Sequence, residues 1–211
     1  MTDKGRVINH RLKRFSNNVS GEAYTYIIVL LIIFVGIILK LSVLSVGAPY
    51  VTIDDQTLYE GGFLVWFGQA PPQRMYMESW LVGFSNILTY ISIAFETGID
   101  INSNIVALAY QSFNQNPDPF VTTYRIFSLL VDAMTAFVIF QSARLITGPK
   151  TEINFIAIAV VIFYVLSFNA LWCYIVARPD ALTVFFSSLG LFYYLRAVKS
   201  NNSNYFWLSA I

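Results

Sequence analysis

One cysteine, Cys173, and one histidine, His10, close off several kinds of chemistry. A single thiol rules out a disulfide within the chain and a cysteine-built zinc cluster. His10 sits in a basic N-terminal stretch, so no histidine dyad can form and zinc lacks its usual ligands. Charge is scarce too. Asp, Glu, Lys and Arg make up 12% of residues, against ~25% in soluble domains. The net charge of +1 offers no reason to expect nucleic acid or another polyanion as partner. There is no internal repeat and no low-complexity tract. Catalysis would have to use carboxylates, hydroxyls, Arg or Lys. No cofactor is fixed by the residues, and a bound metal would be oxygen-ligated, as Mg2+ and Mn2+ are.

Hydrophobic residues make up 56% of the chain and aromatic ones 17%, with mean hydropathy +0.60. This composition points to an all-α integral membrane protein with several spans. The first apolar run, 24–46, follows a basic tail, 1–23. At ~1.5 Å per residue it can cross a ~30 Å hydrocarbon core, and it exceeds the ~7–15 residues of a signal-peptide core. Lys40, near its outer end, can snorkel to the interface. Further spans are expected at 124–145, 153–171 and 181–198, about four in all, with a fifth apolar run starting at 204. A chain rarely ends inside a starting hydrophobic helix, so the sequence reads as the N-terminal part of a longer protein.

The stretch Trp80–Phe95 can be a short span or an interfacial helix, and the choice inverts everything after it. Cytosolic loops of membrane proteins are enriched in Lys and Arg. If the stretch does not span, Lys4, Arg6, Arg11, Lys13, Arg14, Arg144, Lys150, Arg196 and Lys199 all fall on one side. Only Arg74 and Arg178 then lie clearly on the other, with Arg125 at a boundary. If it spans, Arg144, Lys150, Arg196 and Lys199 change sides. The first arrangement is expected: a cytosolic N-terminus and a large first external loop, 47–123, carrying amphipathic helices. The sequons at Asn18 and Asn201 then lie on the cytosolic side and escape glycosylation.

Eight acids are external in this layout: Asp54, Asp55, Glu60, Glu78, Glu96, Asp100, Asp118 and Asp180. Asp54, Asp55 and Asp180 lie closest to span ends and can share one membrane depth. After Asp55, the residues Tyr59, Phe63, Trp66 and Phe67 fall at helical spacing and form an aromatic face suited to the headgroup layer. Asp54 is a natural N-cap for that helix, and both acids can serve only to cap and charge its start. Gly68 and the two prolines that follow end it. Arg74 can meet a phosphate or merely a lipid headgroup. Within "ARPDAL" (177–182), Pro179 breaks the chain between spans, Arg178 offers a planar fork for a phosphate and Asp180 opens the next helix. The plain alternative is a cap and an interfacial Arg. Asp132 lies inside the second span, with Arg125 seven positions earlier on the same face. An intramembrane acid is either functional or paired with a polar group of a neighbouring span.

These residues in this order resemble a family. An Asp after the first span, Tyr59 four residues later, "PPQR" (71–74) and "SW" (79–80) are similar to the first external loop of GT-C glycosyltransferases. Protein O-mannosyltransferases and lipid A aminoarabinose transferases are members. Residues 124–148, with Arg125, Asp132 and Arg144, resemble their second span, and 177–197 their third-to-fourth span junction. The resemblance covers nearly the whole chain from Tyr24. It implies sugar transfer, of the inverting kind, from a polyprenyl-phosphate-linked donor to a lipid, glycan or protein acceptor at the outer face of the plasma (inner) membrane, or of the endoplasmic reticulum in a eukaryote. It also implies a first-loop Asp acting as base on the acceptor. The spacing to Tyr59 assigns that role to Asp55; the adjacent-acid pattern assigns it to Asp54. By the same resemblance Asp180 would position donor phosphate or metal, and Arg178 and Arg74 would meet the phosphate.

Two other classes compete. A transporter or channel would use Asp132 as its ion or proton site, although such proteins commonly show internal repeats. A scaffold would use the aromatic loop to bind a partner.

Overall fold

The structure, a computed structural model, describes residues 3–42, 53–69, 76–98, 104–148, 153–167, 180–201 and 204–209, with side chains at 3–20, 53–58, 76–78 and 180 outside that description. The described residues are mostly helical, with no strand among them. In chain order the helices are α1 (Asp3–Leu41), α2 (Ile53–Trp66), α3 (Tyr76–Thr97), α4 (Ile105–Gln115), α5 (Asp118–Thr147), α6 (Phe155–Val165), α7 (Asp180–Ser200) and α8 (Asn204–Leu208). Three segments are long and apolar enough to cross a membrane: Gly21–Leu41, Asp118–Thr147 and Ala181–Ser200. They correspond to the first, second and fourth expected spans. The third expected span, 153–171, begins with the apolar helix α6, whose 11 residues cover ~16 Å, short of a ~30 Å core; residues 168–171 lie outside the described ones. Helices α2, α3 and α4 all fall in the stretch expected as the first loop, and α3 is not among the segments apolar enough to span. The basic tail and the first span form one unbroken helix, where the sequence suggested a boundary at residue 24.

The chain divides into two compact units. Unit 1 comprises Met1–Ile38, Ala133–Ser167 and Phe186–Ile211. Its core is built from Val29 and Ile33 of α1, Ala136, Phe140 and Ala143 of α5, and Ala157, Ile158, Val161 and Val165 of α6. These positions recur every three or four residues, which places them on one stripe of each helix. The opposite face of α1 is apolar and outward: Leu30, Leu31, Phe34 and Val35 are all more than half exposed. Small residues on the inner face let backbones approach, as between membrane helices. A side chain at Gly36 would run into Val165. One end of the unit is polar. Arg144 bonds the Tyr26 hydroxyl and pairs with Glu22. Asn154 caps α6 by accepting from the Ala157 N–H at 3.1 Å and donates to Thr147 Oγ1 at 2.6 Å. Its own N–H reaches Thr25 Oγ1 at 3.1 Å.

Unit 2 comprises Leu39–Asp132 and Phe168–Phe185. Its core joins Tyr59 and Phe63 of α2 with Val82, Tyr90 and Ala94 of α3, Ala109 and Phe113 of α4, and Phe120, Val121 and Tyr124 of α5. This corrects one expectation. Of the aromatic face read from α2, Tyr59 and Phe63 are fully buried in protein, while only Trp66 and Phe67 remain exposed. Helices α3 to α5 supply enough aromatic surface to take these rings, and each buried ring removes ~150–250 Å² from solvent. The end of α2 matches the sequence reading. Gly68 has φ +72°, its N–H meets the Val65 carbonyl at 3.1 Å and the Gln69 N–H meets the Leu64 carbonyl at 2.8 Å. That double bond pattern around a left-handed residue is the Schellman stop, which favours glycine.

Helices α2 and α3 touch through glycine. A Cβ at Gly62 would stand 2.8 Å from the Gly83 nitrogen and 2.8 Å from Val82 Cγ1. A Cβ at Gly83 would stand 2.6 Å from the Gly62 carbonyl oxygen. Backbone atoms cannot swing aside, so Gly62→Val is expected to destabilise the protein by about 1–3 kcal/mol, the usual cost of overpacking, or more. Thermal melting of the purified variant checks this; an unchanged midpoint would show that the two helices do not cross at these glycines.

Candidate functional site

Asp54 and Asp55 occupy the first turn of α2, which begins at Ile53. Asp54 is therefore inside the helix and does not supply its N-cap, because a cap residue has non-helical backbone and precedes the first helical position. Acids in the first turn still complement the partial positive charge of a helix start. Their side chains lie outside the described residues.

The helix that carries them is firmly held. Tyr59, one turn beyond Asp55, stacks on Phe113 at 5.8 Å between centroids and meets Tyr124 edge-on at 5.8 Å. Its hydroxyl reaches the Val121 carbonyl at 3.5 Å. One turn on, Phe63 contacts Tyr110 at 5.2 Å, Phe113 at 5.3 Å and Phe120 at 6.4 Å. At the far end Trp66 meets Trp80 of α3 at 6.2 Å. The start of α2 is thus tied to α4 and α5 through rings that have few rotamers to lose.

Beside Tyr124 stands Arg125, 1% exposed. A guanidinium at that depth must be met by acceptors. Arg125, Ser128 and Asp132 follow at i, i+3 and i+7, a polar stripe on α5 within a candidate span. Asp132 closes the stripe by an ion pair with Lys40 of α1. The Lys40 side chain is 3% exposed, so it is buried against Asp132 instead of snorkelling outward. The reason is electrostatic: a charge removed from water is tolerated when an opposite charge neutralises it.

A second feature was not legible in sequence. The Asn86 amide of α3, at both its atoms, and the hydroxyls of Ser79 and Ser128 are buried without a hydrogen-bond partner among the described residues. Ser79 and Asn86 stand seven positions apart, on one face of α3. Buried polar groups are normally satisfied, so such a set in one unit has spare capacity for a polar ligand or water. Serine and asparagine are too common in loops and helix surfaces for their positions alone to have shown this.

Asp54, Asp55, Arg125, Asp132 and Asp180 all belong to unit 2. Asp180 is the first described residue of α7, and its side chain is not among the described ones. Arg74 and Arg178 lie outside the described residues. Among the described residues no three His, Cys, Asp or Glu side chains converge as metal ligands. The acids to which Mg2+ or Mn2+ would fall, Asp54, Asp55 and Asp180, have no described side chain. No protein-family model, curated protein or solved structure matches this chain.

Proposed function

We propose that this protein is a membrane glycosyltransferase of the GT-C kind, moving a sugar from a polyprenyl-phosphate donor to an acceptor hydroxyl at the external membrane face. One observation carries the reading. Two adjacent carboxyl-bearing residues stand in the first turn of a helix that begins at Ile53, shortly after the first candidate span ends at Leu41. That helix is braced by buried Tyr59 and Phe63. A general base must keep its place to within a fraction of an ångström, and a braced helix does this better than a free loop.

In the reaction the Asp55 carboxylate takes the proton of the acceptor hydroxyl as its oxygen attacks the anomeric carbon. The bond from that carbon to the phosphate oxygen breaks, and the polyprenyl phosphate leaves with the electron pair. Arg178 or Arg74 meets the charge that grows on it. Asp180 positions the donor phosphate. Four spans are proposed, the third at 153–171, and the cluster of Arg144, Arg196 and Lys199 supports a cytosolic position for that end of the spans, since cytosolic loops are enriched in Lys and Arg. The buried polar groups of α3 and α5 are candidates for contacts to sugar hydroxyls.

The test compares cells lacking their own copy that express wild type or an Asp54→Asn/Asp55→Asn double variant at equal membrane levels. Mass spectrometry of envelope and lipid-linked glycans is expected to show one hexose- or pentose-sized step missing in the variant. Identical glycans in both would remove this loop from catalysis.

A further inference from the structure

At one end of unit 1, α5 and α7 finish side by side. The Lys199 ammonium, in the last turn of α7, donates to the Leu145 carbonyl of α5 at 3.1 Å. Arg144 lies in the last turn of α5. Between these helix ends opens a cavity of about 350 Å³, with Gln141, Arg144 and Gly148 on the α5 side and Phe192, Arg196 and Lys199 on the α7 side. Three of its lining residues are cations. Glu22 pairs with Arg144, and among the described residues no second carboxylate pairs with any of the three. Arg196 instead lies over the Tyr205 ring, 4.7 Å from its centroid.

Cations at helix C-termini complement the helix dipole, which accounts for Arg144 and Lys199 as single residues. It does not account for a cavity that gathers three of them, with Arg196 a turn inside the helix end. The cavity lies at the ends of two candidate membrane spans, the level at which a bilayer meets water. Along the same two helices Ile146, Leu191, Tyr194 and Val198 present at least half of their surface outward, a wall against which acyl chains can lie. Guanidinium groups suit phosphate oxygens by their planar fork, and basic pockets between membrane helices hold anionic lipid headgroups.

We propose that this cavity binds the phosphate of an anionic phospholipid headgroup. The inference is independent of the glycosyltransferase reading, since it uses no residue of the first loop. Phosphatidylglycerol and phosphatidylcholine, added in turn to the full-length protein in neutral detergent, are measured as bound adducts by native mass spectrometry. Neutral detergent removes the general attraction of a charged bilayer. Wild type is expected to retain phosphatidylglycerol well above phosphatidylcholine. Arg196→Gln/Lys199→Gln is expected to weaken phosphatidylglycerol binding roughly thirtyfold, at about fivefold per cation near an anionic headgroup. Lys199 also bonds a backbone carbonyl, so Arg196→Gln alone serves as the variant least able to disturb the fold, with a loss of about fivefold expected. Arg196→Lys, which keeps the charge, is expected to restore most of it. Equal retention of both lipids by wild type, or unchanged phosphatidylglycerol binding in both glutamine variants, would overturn the site. Retention of inorganic phosphate by wild type with no retention of phosphatidylglycerol would overturn the lipid assignment and leave a site for soluble phosphate.

Discussion

Asp55→Asn is expected to lower sugar transfer by about 10²- to 10⁴-fold, the usual contribution of a general base. Asparagine keeps the size of the side chain and removes its ability to take a proton. Asp55 is one turn before Tyr59, whose buried ring holds that part of α2, so the substitution leaves the brace intact and membrane levels should not change. Asp54→Asn, one position earlier in the same first turn, is expected to reduce transfer by less than about tenfold, through weaker electrostatics at the helix start. Quantifying the glycan step in each single variant decides between the neighbours. The reverse order of effects would assign the base to Asp54, and full activity in both would exclude either acid as base. The ranking rests on position along α2, because one residue along a helix turns a side chain by ~100°.

The second large effect concerns stability. Asp132→Leu is expected to cost about 3–5 kcal/mol, because it leaves the buried Lys40 ammonium without its counter-charge. For a chain of 211 residues that corresponds to a fall in melting temperature on the order of 10 °C. Lys40→Met should do comparable harm by stranding the carboxylate. The double variant Lys40→Met/Asp132→Leu should recover most of the loss, since apolar residues of similar volume often replace a buried pair at little cost. Thermal melting of the four proteins in one detergent gives the coupling energy directly. Additive losses would mean that the two charges do not neutralise each other. The same proteins separate two functions. A glycosyltransferase should keep its activity in the double variant, whereas a transporter that moves protons or ions through Asp132 should lose it.

Helix positions were largely legible because they depend on neighbours in sequence. The run 24–46 carries no charge except at Lys40, and most of it appears in the candidate span Gly21–Leu41. The span read at 124–145 appears inside α5, which starts earlier, at Asp118. The stretch Trp80–Phe95 appears as α3, long enough to cross a membrane but not apolar enough. The candidate acids were legible in the same way, from their distance to an apolar run and to an aromatic repeat. Their environment was not. Helical spacing put Tyr59, Phe63, Trp66 and Phe67 on one face, yet half of that face is buried and half exposed. A period tells which residues share a side, not how far a neighbouring helix extends along it.

The amino-acid sequence by itself determined that this is a helical protein, where the three helices apolar enough to cross a membrane lie and that α2 stops at Gly68. Each of these follows from local hydropathy or backbone freedom. Tertiary structure alone decided the partners. Lys40 meets Asp132 across 92 positions, and Arg144 meets Glu22 across 122. Gly62 of α2 lies against Gly83 of α3. Tyr59 is enclosed by rings from α4 and α5. Each of these needs two helices brought to a particular crossing, and that crossing is set by the fit of whole surfaces, not by any stretch of chain read alone.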